Sequence, residues 1–209
     1  MQARSLIGIV AVAGLIPSAL AEIAYSTAES PTDLNFHGGD IMDDAVLAAG
    51  GVLRSVSTVV RASSFLPGAP VISDVTLSIG RDTGDGVPGL DDEQLAQLTL
   101  EAVSFSSDEP GIFTIDLSSL NLNVSAGDRI WFAWDYASDF NLSTLITGDP
   151  TIGSTSNLFY ESGFPVDGNA FYGAMNSSAV GMVVEVVPTP STLGALAMCG
   201  VLGSRRRRS

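Results

Sequence analysis

The chain has 209 residues and a formal net charge of −14, with 23 acidic side chains, nine arginines and no lysine. All the acids lie between Glu22 and Glu185, where they meet only four arginines, so this stretch stands at −19 and excludes nucleic acid as a partner. A single cysteine, Cys199, rules out an intramolecular disulfide, and a single histidine, His37, rules out a His-rich zinc site.

The first element is a targeting segment. Arg4 supplies a positive n-region, residues 6–15 an apolar run, Pro17 a breaker, and Ala19-Leu20-Ala21 a small-x-small cleavage site. Residues 1–21 are therefore expected to be a signal peptide removed by signal peptidase, leaving a single domain over residues 22–187 outside the cell.

That domain reads as strands separated by turns. Strict alternation puts Val75, Leu77 and Ile79 on one face of a strand over 74–79, and the same period returns over 113–117, 130–136 and 180–186. Further strands are expected over 52–62, 97–106, 121–124, 157–161 and 169–174, about nine in all. Within 97–106 the apolar set slips phase, from Leu98 and Leu100 to Val103 and Phe105, so a bulge near Ala102 is expected. Residues 43–49 and 91–98 are expected to supply a turn or two of helix. Clusters of Gly, Asp, Pro and Ser at 84–86, 108–111, 125–128 and 148–150 separate the strands. The fold class expected is all-β, an antiparallel β-sandwich of jelly-roll type.

Three constellations invite chemistry. Residues 82–93 form an acidic twelve-residue loop in which Asp82, Asp85, Asp91 and Glu93 offer oxygen ligands to calcium. Gly84, Gly86 and Val87 break the helix-loop-helix calcium pattern, so a solvated acidic connection is the competing reading. No other cofactor is expected. Trp131 falls on the strand face opposite Ile130 and Trp134, beside Arg129, Ala133 and Asp135. An indole there either packs on the sheet or stacks on a sugar ring of an extracellular polysaccharide. Chance carboxylate pairs among so many acids carry no glycosidase argument, and a Ser-His-Asp triad would have to use His37 in a glycine-rich turn. No catalytic residues are assigned.

The tail, residues 188–209, combines prolines, an apolar run and arginines. Pro190 suits the first turn of a helix capped by Thr189, and residues 190–204 would give about 22 Å of helix. A bilayer core is about 30 Å thick, so this hydrophobic helix suits a transient membrane segment with Arg205, Arg206, Arg207 and Arg208 held in the cytoplasm. Cys199 inside it reads as an apolar filler, with lipidation as the alternative.

The run Val187-Pro188-Thr189-Pro190-Ser191, the apolar segment and the terminal arginines together resemble the PEP-CTERM sorting signal of exosortase substrates, with Thr189 where the name-giving glutamate stands. That resemblance implies export, then anchoring or release by an exosortase-like sorting enzyme in the membrane. More loosely, the run 39–56, the glycine-rich loop 81–90 ending in Pro88-Gly89, and segment 122–134 with its Ala126-Gly127-Asp128 turn are similar to jelly-roll ectodomains of such substrates. This second resemblance implies a surface or matrix role. The expected function is a structural or adhesive protein of the cell envelope or extracellular matrix, without catalysis. The alternatives are a carbohydrate- or calcium-dependent binding module and, more distantly, a polysaccharide-active enzyme.

Overall fold

In a computed structural model, residues 20–27, 35–38, 40–64, 68–84, 92–107, 109–137, 141–156, 159–162 and 179–189 are described. They form thirteen strands and one short 3-10 turn at Ser118–Leu120. The strands are β1 (Glu22–Ser26), β2 (Asn35–Gly38), β3 (Asp40–Val46), β4 (Gly51–Ala62), β5 (Val71–Arg81), β6 (Glu93–Phe105) and β7 (Gly111–Asp116). They continue with β8 (Asn123–Val124), β9 (Arg129–Tyr136), β10 (Leu142–Thr147), β11 (Phe159–Ser162), β12 (Ala179–Val180) and β13 (Met182–Val187).

Two antiparallel sheets result. One has the order β11-β3-β9-β5-β6. The other is built around β4, which pairs with β13 and β10 along one edge and with β7 and β8 along the other; β1 flanks β13, and β2 and β12 join β10. From β3 to β13 the chain passes repeatedly between sheets, which makes the body all-β and antiparallel, consistent with the expected β-sandwich.

The alternation seen in the sequence is what fills the space between the sheets. Val75, Leu77 and Ile79 from β5, Ile130, Phe132, Trp134 and Tyr136 from β9, and Met182, Val184 and Val186 from β13 are all buried. In β4 a register shift opposite Glu185 and Val186 inserts Arg54, so that Leu53 and Val56 both reach the core. The bulge expected near Ala102 is present: β5 pairs Ser73 with Val103 and Val75 with Leu100, and Ala102 adopts a left-handed φ of 53° while its N–H donates to Asp74 Oδ1 at 2.8 Å. Phe105 then stacks edge-on against Phe113, ring centroids 5.2 Å apart, tying β6 to β7 across the sandwich.

Two expectations are corrected. Where helical turns were expected over 43–49 and 91–98, residues 43–46 instead belong to β3 and residues 93–98 to β6, each taken up by an antiparallel neighbour. Four strands, β1, β2, β3 and β10, were not anticipated. β3 carries three aspartates, which strands ordinarily avoid, and its partners lie far away in sequence. The strand expected at 169–174, the signal peptide through residue 19 and the tail helix from Pro190 lie outside the described residues. Among the described residues no helix is long and apolar enough to cross a membrane.

Candidate functional site

The densest polar arrangement grows from adjacent residues of β3. Successive strand side chains point to opposite faces, so Asp43 enters the space between the sheets while Asp44 lies on the outer side; both are fully buried. Asp43 Oδ2 accepts from the Val180 N–H at 2.6 Å, and its Oδ1 accepts from the Asp44 N–H at 2.8 Å and from Thr155 Oγ1 at 3.4 Å. The carboxylate thus links β3 in one sheet to β12 in the other. Burial pushes the Asp43 carboxyl well above the usual range; the Val180 N–H offsets part of that rise, and the neighbouring Asp44 charge adds to it. Tyr25, fully buried, is also pushed up, first by burial and then by the charges of Asp43 and Asp44.

Asp44 is closed over by Thr155 and Ser156. Its Oδ1 accepts from Thr155 Oγ1 at 3.1 Å and from the Ser156 hydroxyl, and Oδ2 accepts from Arg129 Nη1 at 2.7 Å. The same guanidinium reaches Asp82 Oδ2 through Nε at 3.2 Å, so one arginine of β9 joins a buried carboxylate of β3 to one just beyond β5.

Arg81 makes the neighbouring link. Its Nη1 donates to Glu93 at 2.7 Å and its Nη2 to the Asn123 carbonyl at 3.0 Å, and it lies 3.5 Å from Asp128. Of the four residues expected to hold calcium, Asp82 is therefore engaged by Arg129 and by the Gly84 N–H at 2.7 Å, and Glu93 by Arg81. Asp85 and Asp91 lie outside the described residues. Among the described residues no group of three or more His, Cys, Asp or Glu side chains is placed to hold a metal ion.

Trp131 lies, as expected, on the outer face of the five-stranded sheet, paired between Asp44 and Gly80. It is half-buried: a Cβ at Gly80 would fall inside the indole, so the missing side chain on β5 is what lets the ring lie against the sheet. The ring has one side against the backbone of β5, and its Nε1 is buried among the described residues without a hydrogen-bond partner. Ser78 and Ala133 continue the same outward rows, with Gln97 donating to Ser78 Oγ at 3.1 Å.

The remaining expected residues are dispersed. Val187 ends β13, Pro188 and Thr189 follow it half-buried, and Ala21 is exposed just before β1. Ala19, Pro190, Ser191, Arg205, Arg206, Arg207 and Arg208 lie outside the described residues. His37 falls on β2, its backbone paired with Thr144. Sequence reasoning missed Asp43, Asp44 and Thr155 altogether; the adjacent aspartates at the start of an apolar pair, Ala45-Val46, were the one available signal. Compared with family models, with curated proteins and with solved structures, the chain matches none.

Proposed function

We propose that this is an exported protein of the cell envelope or extracellular matrix, whose β-sandwich body has a structural or adhesive role. In this reading signal peptidase cuts after Ala21, and an exosortase-type enzyme sorts the chain through its C-terminal segment. One observation supports it above others. Among the described residues the strands run from Glu22 to Val187, between the two segments that the sequence suggests for targeting, and the first and last are neighbours: β1 and β13 pair with Glu22 opposite Val186. The chain therefore enters β1 and leaves β13 at the same end of the described body.

Intact mass of the chain recovered from envelope and medium tests the reading. We expect a mature start at Glu22 and, in at least one fraction, loss of the terminal arginines. A chain retaining Met1, or retaining Arg205 to Arg208 in both fractions, overturns it.

A second reading, a carbohydrate-binding module, is favoured by the position of Trp131, half-buried on the outer face of the five-stranded sheet beside Gly80, Ser78 and Ala133. It expects Trp131→Ala to fold normally yet lose retention on polysaccharide columns by about tenfold, the scale of an aromatic stacking contact. Equal retention of variant and parent removes it.

A further inference from the structure

The long edge strand β6 has an unusual symmetry. Among the described residues it pairs only with β5, which leaves its other side as a row of backbone donors and acceptors. Two register shifts divide its thirteen residues. One skips Leu95, with Ile79 opposite Ala96 and Gly80 opposite Gln94; the other falls at Glu101 and Ala102. Between them lies a regular window, residues 96–100, centred on Leu98. Ala96, Leu98 and Leu100 are half-buried, with both leucines packed against the core, whereas Gln97 and Thr99 are exposed on the outer face.

We propose that this window is the docking site of a second copy of the same chain, added antiparallel about a twofold axis through Leu98. In that register Leu98 meets its own symmetry mate, Ala96 meets Leu100, and Gln97 meets Thr99. Every inward residue opposes an inward residue and every outward residue an outward one, so the two five-stranded sheets become one continuous ten-stranded sheet. Charge argues for the second copy as occupant. The body carries −19, yet residues 94–100 contain no charged side chain, and the flanking Glu93 is already bound by Arg81. Glu101 would face Leu95 of the mate, so no carboxylate opposes another across the axis. The two leucines bury their remaining apolar surface against their mates, continuing the core between molecules. With only five residues paired on each side, the association is weak and concentration-dependent. The inference rests on the strand edge alone and is independent of export and sorting.

Sedimentation velocity on the full-length chain in mild detergent, across a wide concentration range, tests it. The parent is expected to shift from monomer to dimer. The double variant Gln97→Glu/Thr99→Glu sets like charges opposite each other and should weaken the dimer at least about tenfold. Gln97→Lys/Thr99→Glu sets opposite charges there and should restore it. Both positions are exposed, and unchanged circular dichroism and melting confirm folding. A parent that stays monomeric throughout overturns the proposal, as does a dimer indifferent to the Gln97→Glu/Thr99→Glu change, which would place association in the tail or on another face.

Discussion

Replacing Arg129 by glutamine is expected to destabilise the body by about 3–5 kcal/mol, a drop in melting temperature of roughly 10 °C. The reason lies in what the arginine leaves behind. The side chains of Asp44 and Asp82 are 1% and 6% exposed, and Arg129 at 28% is the cation that joins them. Without it two carboxylates stay out of water, supported by Ser156, Thr155 and the Gly84 N–H but not neutralised. Since a domain of this size holds only about 5–15 kcal/mol in total, the loss is large. Adding Asp44→Asn to the arginine variant removes one stranded charge and should recover part of the deficit. Thermal or urea unfolding of the single and double variants measures both effects, and a single variant within about 1 kcal/mol of the parent would show that the buried carboxylates do not depend on the guanidinium.

Stability should fall as pH rises above the ordinary aspartate range, with Asp43 as a principal cause. In the unfolded chain this carboxyl titrates near about 4; in the fold its affinity for the proton is raised, first by burial. Between those two values the native chain keeps a proton that the unfolded chain has released. The native state therefore binds more protons, and stability declines by about 1.4 kcal/mol per pH unit until the folded group itself ionises, then levels off. The sign is opposite to that of a salt-bridged carboxylate. Other acids contribute a background through mutual repulsion, so the informative quantity is the difference in pH slope between the parent and Asp43→Asn, which cannot titrate. The variant should lose the Asp43 share of the slope and gain on the parent as pH rises above the ordinary aspartate range. Parallel melting curves for the two proteins over that range would be incompatible with a proton held on Asp43.

Much of the architecture was legible because alternation is a local property. Where β5, β9 and β13 run, each residue's neighbours two places away share its face, so the inward sets Val75-Leu77-Ile79, Ile130-Phe132-Trp134 and Val184-Val186 could be read directly. The bulge at Ala102 was legible for the same reason, since a single extra residue shows as a slip in that period. The aspartates of β3 were not. Local propensity argues against them in a strand, and what reverses the balance comes from far away: Arg129 is 85 residues from Asp44, and the Val180 N–H is 137 residues from Asp43.

The sequence by itself determined the all-β class of the body, the face on which each regular strand residue lies and the acidic balance, because composition and period need no knowledge of partners. Only the tertiary structure decided which carboxylates meet which arginines, that Gly80 makes room for Trp131, that the first and last strands of the body pair side by side, and that β6, among the described residues, pairs with β5 alone. Each of these depends on strands brought together from distant parts of the chain. Pairing follows from the burial and hydrogen bonding of the whole sandwich, and no window of neighbouring residues contains it.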